Sequence, residues 1–419
     1  MIGLVDGNNF FVSCERVFNP SLEGKPVAVL SNNDGCCISR SNEFKALHIP
    51  MGTPYFQLKE RIRQDGLILL SSNYELYSDL SGRVIATLSE LVPKVEQYSI
   101  DEAFIYPPKM EFENYASFGK KIRSTIYRYV GIPCGVGFAP TKTLAKIANH
   151  IGKKSPSGVF VMPSDPRSVL ENTPIGEVWG VGRRLAPKLE RMGIRNAWKL
   201  ATADIASLQK KFSIILGRTI MELRGTPCIE EELPDELSKS ISCSRSFGQP
   251  VISLQNLEES IASYTAKAAE KLRREGQTAA GASFYFEMYP EYEPVPLPAG
   301  RREAFVSFPS PTDETGKMLE AIRPYLEKIY LPGRRYKKSG VLFFGLESIH
   351  NRQGDLFAPA GEKESASSRL YQTIDKLNAA FGKGTIFTLA EGIQKPWQMR
   401  REMLSPHYTT SWEELLKVK

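Results

Sequence analysis

Thiol and imidazole side chains are scarce: the 419 residues include six cysteines and four histidines. Cys36 and Cys37 are adjacent, Cys14, Cys134, Cys228 and Cys243 are scattered, and no C-x-x-C spacing occurs. That pattern argues against a disulfide framework or a zinc ribbon and suggests reduced thiols in a cytoplasmic compartment. No stretch reaches the roughly 18 consecutive apolar residues of a membrane span. The N-terminus has no basic region followed by an apolar stretch and a small-residue cleavage site. Membrane insertion and secretion are therefore not expected. Internal repeats and long low-complexity tracts are also missing, which excludes solenoid and fibrous classes.

What is present fits an ordinary globular chain, with 42% hydrophobic and 24% charged residues. That length accommodates two to four domains with a sizeable core. Lysine and arginine exceed aspartate and glutamate by 54 − 47 = 7, which suits a polyanionic partner without proving one.

The most unusual stretch is Tyr98-Ser99-Ile100-Asp101-Glu102-Ala103-Phe104. Its apolar residues suit a buried strand or tight hairpin, yet two adjacent carboxylates interrupt it. Unpaired buried carboxylates are costly, so a proton or a cation must accompany them. Neighbours on a strand face opposite ways, so Asp101 and Glu102 can share a metal only if the chain bends there. Ile2-Gly3-Leu4-Val5-Asp6 reads as a strand ending in a third acid, followed by the chain-reversing Gly7-Asn8-Asn9. Hard oxygen ligands favour Mg²⁺, and paired metals serve in-line displacement at phosphorus. An N-cap aspartate and an edge-strand ion pair are the structural alternative.

Downstream, Phe10 and Phe11 open a helix against this acid. Strands are expected at 26–30 and 36–39, a helix capped by Ser41 at 41–47, and helix then strand over 55–70. Helices at 74–91 and 115–129 and a glycine-containing strand at 133–138 follow, an α+β pattern. The two glycines of that strand imply a close neighbour. Lys45 reads from its helix as a solvated lysine. The stretch from Thr141 to Lys154 holds four lysines and no acid; Lys153 and Lys154 suit either a helix C-terminus or a phosphate.

A second motif spans Val178 to Ile194, where Gly180-Val181-Gly182 opens a basic helix carrying Arg183, Arg184 and Lys188 and ending at Gly193. Six basic residues and one acid lie between Val178 and Lys199. This is a helix-hairpin-helix pattern, in which glycines admit a phosphate to backbone N–H groups and bind DNA without reading bases. The rival, a dinucleotide fingerprint, lacks its third glycine and preceding strand. An acidic linker around Glu230–Glu236 precedes a second α+β unit, with strands near 240–247, 281–289, 304–308 and 340–346 and helices at 257–275 and 313–329. A polar segment, a helix near 370–380 and a basic tail around 395–401 complete the chain.

Acids at Asp6, Asp101 and Glu102, the lysine-rich helix and the helix-hairpin-helix occur in the order of a Y-family translesion DNA polymerase. The chain resembles the UmuC-like branch in particular. The likeness extends through Ser31–Cys36, Ser72–Tyr77, Tyr98–Phe104, Thr141–His150, Cys243–Gly248, Trp397–Met399 and Met403–Pro406. It implies an α+β right hand: palm (1–10 and 74–165), fingers (11–73), thumb (166–239), little finger (240–348) and a C-terminal tail (349–419).

It further implies that Asp6, Asp101 and Glu102 hold two Mg²⁺ ions, with Phe11 as steric gate against ribonucleotides and Phe10 beside it. Phenylalanine at position 11 departs from the tyrosine common in the branch. Lys45 falls where other branches place a triphosphate-binding arginine, Asn42 where they place a tyrosine, and Lys153 matches the palm lysine for the triphosphate. Gly180, Gly182, Arg183, Arg184, Lys188 and Arg245 are the implied DNA contacts. Gln353-Gly354-Asp355-Leu356-Phe357 resembles a sliding-clamp peptide, with Gln353, Asp355, Leu356 and Phe357 as its contacts. No acidic cluster resembling a proofreading exonuclease is visible. The implied activity is error-prone, template-directed synthesis from dNTPs on primer-template DNA, with the clamp, a processed UmuD-like subunit and RecA as partners. A non-catalytic DNA-binding scaffold of the same fold and, more distantly, a nucleotidyl cyclase are the alternatives.

Overall fold

The computed structural model describes residues 1–230, 237–291, 299–349 and 366–415. The chain forms two units, Met1–Leu233 together with Glu402–Lys419, and Pro234–Arg401. Among the described residues no helix is long and apolar enough to cross a membrane, and all six cysteines are free thiols.

In the first unit, β1 (Ile2–Gly7) turns through Asn9, whose φ is 49°, into α1 (Phe10–Phe18). A small sheet follows from β2 (Val27–Leu30), β3 (Cys37–Arg40) and, beyond α2 (Asn42–Ala46) and α3 (Tyr55–Gln64), β4 (Ile68–Ser71). Its strand order is β3-β2-β4, with β2 antiparallel to β3 and parallel to β4. All four β2 residues are buried, and Phe44, Ile49 and Leu58 back them. Ser41 caps α2 as its position predicts, its hydroxyl accepting the Phe44 N–H at 3.1 Å.

The larger sheet is built by α4 (Tyr74–Leu91), β5 (Lys94–Gln97), β6 (Glu102–Tyr106), α5 (Phe112–Val130), β7 (Cys134–Ala139), α6 (Lys142–Lys154) and β8 (Val159–Val161). Strand order is β5-β6-β1-β7-β8, so β1 lies central, between β6 and β7. Helix α5 begins one turn earlier than its periodicity suggested and ends at Gly131, whose φ is 78°. The close neighbour expected of the glycines in β7 is α6: a Cβ at Gly137 would fall inside the backbone of Asn149.

Five short helices follow: α7 (Arg167–Glu171), α8 (Ala186–Arg191), α9 (Ala197–Ala201), α10 (Ile205–Lys211) and α11 (Ile214–Leu223). Val178, Val181, Leu189, Leu200 and Ile220 share one core with Leu144, Ala145 and Ala148 of α6.

The second unit comprises β9 (Ile241–Val251), α12 (Leu254–Arg274), β10 (Gln277–Met288), β11 (Gly300–Thr312), α13 (Thr315–Ile329), β12 (Tyr336–Ser348) and α14 (Ala366–Phe381). The strands pair antiparallel in the order β11-β10-β12-β9. Leu257, Ile261 and Leu272 of α12 and Met318, Ile322 and Leu326 of α13 pack with Phe284, Phe286 and Phe343. Each such burial contributes about 1.5–3 kcal/mol. Arg273 grips Asp375 of α14 through two hydrogen bonds, at 2.6 and 2.9 Å.

The described part of 349–419, grouped by sequence into one tail, is divided: 366–401 belongs to the second unit and 402–415 to the first.

Candidate active site

Three carboxylates converge at the ends of β1 and β6. Register sets Asp6 directly opposite Glu102. Asp101 occupies the turn before β6, where its carbonyl accepts the Gly7 N–H at 2.9 Å. The bend required for both adjacent acids is made by Ser99, whose hydroxyl accepts the N–H of Glu102 at 3.0 Å and donates to Asp101 Oδ1 at 2.6 Å.

Helix α6 supplies the counter-charges. Lys153 Nζ lies 2.5 Å from Asp6 Oδ1 and Lys146 Nζ lies 2.7 Å from Glu102 Oε2. One turn before Lys146, the buried Lys142 pairs with the buried Glu96 of β5 at 2.6 Å. Burial nevertheless pushes the Asp6 carboxyl up to about 7; Lys153 opposes this, and the negative charges of Glu102 and Asp101 add to it. Asp6 is thus a buried carboxylate whose charged form one lysine does not fully restore, with two further acids beside it, and hard oxygen donors in that condition suit a divalent cation such as Mg²⁺. Among the described residues no three carboxylates are already drawn together as a metal cluster; ammonium groups sit on Asp6 and Glu102, and the Ser99 hydroxyl on Asp101.

Phe10 is buried in the core, whereas Phe11 is half-buried. The Phe11 ring stacks on Tyr77 at 4.5 Å and 14° and meets the edge of Tyr74 at 6.1 Å. Lys45 differs from a free surface lysine. Its ammonium donates to Asn9 Oδ1 at 2.5 Å, and the Asn9 amide donates to Asn42 at 3.1 Å. Partial burial, then the charges of Arg40 and Lys153, lower the Lys45 pKa.

In the basic motif the helix expected to open at the glycines starts only at Ala186 and spans six residues, because Gly182 to Leu185 forms a turn first. Gly180 requires glycine, with φ of 87°. Gly182 is exposed, and a Cβ there would meet nothing within 4 Å. Arg183, Arg184 and Lys188 are exposed and have no ion-pair partner among the described residues. In the second unit, Arg245 is exposed on β9 and donates to the Ser244 carbonyl at 2.8 Å. Gln353, Asp355, Leu356 and Phe357 lie outside the described residues.

Several residues at the site escaped the sequence reading. Lys146 lies over the Tyr98 ring at 4.4 Å and the Trp179 ring at 5.1 Å, and Tyr98 meets Trp179 edge-on at 5.5 Å. A Trp-Gly-Val-Gly opening and lysines spaced by four were the only available signals. Tyr77 and Glu15 were also missed: the Tyr77 hydroxyl donates to Glu15 Oε1 at 2.7 Å.

Comparison with known proteins shows the family and the fold of the chain. The impB/mucB/samB family matches residues 5–150, the IMS family HHH motif 163–194, and the impB/mucB/samB family C-terminal domain 238–356. A domain of unknown function, DUF4113, matches 368–418. Protein UmuC of Salmonella typhimurium is 42% identical over 425 residues, covering 100% of both chains. Protein ImpB of Salmonella typhimurium is 40% identical over 99% of each. DNA polymerase IV 1 of Bacillus subtilis is 26% identical over 90% of each. A Y-family DNA polymerase chimera superposes with a TM-score of 0.64 at 22% identity, over 83% of this chain and 100% of its own. The insertion ternary complex of Dbh DNA polymerase has a TM-score of 0.55 at 22% identity, over 82% of this chain and 98% of its own. Family models and a full-length relative thus agree with the fold: the chain belongs to the impB/mucB/samB family, the UmuC-like branch of the Y-family translesion DNA polymerases, and is a DNA polymerase.

Proposed function

We propose that the chain carries out error-prone, template-directed nucleotidyl transfer across damaged DNA, with Asp6, Asp101 and Glu102 holding two Mg²⁺ ions. The observation that carries this reading is Asp6 in register with Glu102, raised in pKa by burial and by neighbouring carboxylates. When bound, the metal pair lowers the charge barrier between a primer 3′-hydroxyl and a nucleoside triphosphate and stabilises the departing pyrophosphate.

The chain's own groups do the rest. Ser99 holds the Asp101 carboxylate and the turn that sets Glu102 beside it. Lys153 and Lys45 bring cationic heads toward Asp6, suited to triphosphate oxygens. Phe11, backed by the Tyr77 ring, fills the space that a ribose 2′-hydroxyl would need. Arg183, Arg184 and Lys188 flank the open Gly182 and suit DNA phosphates, with Arg245 offering another contact from the second unit.

On this reading 1–10 and 74–165 form the palm, 11–73 the fingers, 166–239 the thumb and 240–348 the little finger. The peptide Gln353–Phe357 fits a sliding clamp, and a processed UmuD-like subunit and RecA are the further partners implied. Primer extension by the purified protein tests the proposal. Synthesis requiring Mg²⁺ and abolished by EDTA is expected. DNA binding without any extension, with accessory subunits supplied, would leave a non-catalytic scaffold.

A further inference from the structure

The segment after Arg401 returns to the first unit and docks there on the end of β4, the start of α4 and α1, the helix that carries Phe11. Its course is fixed by hydrogen bonds to residues more than three hundred positions earlier. The Ser71 N–H donates to the Met403 carbonyl, and the Met403 N–H to the Ser71 hydroxyl, both at 2.9 Å. The Glu402 N–H donates to the buried Asp34 carboxylate at 2.9 Å. The Asn73 side chain, which caps α4 by accepting the Leu76 N–H, donates to Ser405 Oγ at 3.0 Å and to the Pro406 carbonyl at 3.2 Å. The Tyr408 ring stacks on Phe18 of α1 at 4.9 Å and 8°.

Beneath this strap lies Glu15, 1% exposed and without an ion pair among the described residues. The Tyr77 hydroxyl of α4 donates to its carboxylate at 2.7 Å, and Ser405 of the strap bonds Asn73, the residue that caps the same helix. Glu15 stands one turn after Phe11 on α1, so the two project from one helix face. Tyr77 therefore spans that turn, its hydroxyl on Glu15 and its ring flat against Phe11. A buried carboxylate that loses a donor loses more than the bond itself, and the side chains it anchors are released.

We infer that the C-terminal strap is a specificity element of the polymerase site: Ser405, through Asn73 at the cap of α4 and the Tyr77–Glu15 pair, positions the Phe11 ring and so sets the discrimination against ribonucleotides. The inference rests on the proposed gate role of Phe11. It assigns a task to a segment within a domain of unknown function. Ser405, Asn73, Glu15 and Tyr77 are positioning residues that need not touch the nucleotide.

The test compares rNTP with dNTP incorporation, as the ratio of kcat/KM values, in the full chain and in Ser405→Ala, Glu15→Ala, Glu15→Gln and Phe11→Ala. Ser405→Ala is expected to raise relative rNTP use about three- to tenfold, the consequence of losing one buried hydrogen bond, with dNTP use nearly unchanged. Glu15→Ala should raise the ratio further. Glu15→Gln, which keeps an oxygen to accept from Tyr77, should return it toward the starting value. A change that only loosens the fold lowers incorporation of both sugars alike, so an unmoved ratio counts against the inference. If Ser405→Ala or Glu15→Ala keeps the original ratio while Phe11→Ala raises it, the gate stands and the relay is overturned. If Glu15→Gln behaves like Glu15→Ala, the hydroxyl relay is overturned. An unchanged ratio in Phe11→Ala removes the gate and this inference together. Ser405→Ala removes a single oxygen and carries the test if Glu15→Ala does not fold.

Discussion

Lys153 and Asp6 meet at 2.5 Å, Nζ to Oδ1, bringing the last turn of α6 to the end of β1. The same helix reaches Glu102 with Lys146 and Glu96 with Lys142. One lysine-rich helix therefore neutralises three acids, two of them proposed metal ligands. On the proposed reading, a cation that took over the Asp6 carboxylate would release Lys153, whose ammonium would then be free for an incoming phosphate.

Lys153→Met removes that ammonium while keeping most of the side chain's bulk against Gly135, where the lysine stem packs. The expected outcome is a dNTP KM raised about 10- to 100-fold, the range for one hydrogen bond to a charged group, with a smaller change in kcat. Steady-state kinetics on a primed template checks this. An unaltered KM would make Lys153 only a partner of Asp6.

Lys142 and Glu96 are both buried, and Tyr106 adds a hydrogen bond to Glu96 at 2.8 Å. Lys142→Met removes the buried counter-charge at 2.6 Å from Glu96 and should destabilise the first unit by about 3–5 kcal/mol, whereas pairing it with Glu96→Gln should recover most of the loss. Urea denaturation of the single and double variants measures the coupling. A single variant within about 1 kcal/mol of the parent would mean that the acid had found another partner.

These lysines show what the sequence carries and what it does not. Asp6 after an apolar strand, the Asp101–Glu102 bend and the glycines of β7 were legible because each violates a local pattern, and violations demand a local cause. Lys142 and Lys146 violate nothing: lysines on a helix read as solvated until the tertiary fold lays α6 against the β5–β6 hairpin. The start of α8 was misread because Gly-x-Gly marks a turn without fixing its length. The strap is the extreme case. Asn73 and Ser405 lie 332 positions apart, so neither carries any local sign of the other.

Replacing Arg183, Arg184 and Lys188 with alanine should weaken binding to all DNA sequences alike. If each meets a phosphate, the slope of log affinity against log salt becomes shallower by roughly 2–3. Titration of duplex binding at several salt concentrations reads the slope directly. An unchanged slope would return these side chains to ordinary solvated surface.

The most direct measurement of the carboxylate assignment takes Asp101→Ala and Glu102→Ala through two assays on one primer-template: equilibrium DNA affinity and the single-turnover rate of nucleotide addition in Mg²⁺. DNA affinity should stay within about threefold of the parent, since the proposed phosphate contacts are untouched. The addition rate should fall by more than about 100-fold, beyond the loss seen when only an outer-shell partner of a metal is removed. Near-normal addition by either variant would contradict the metal-binding role of that acid.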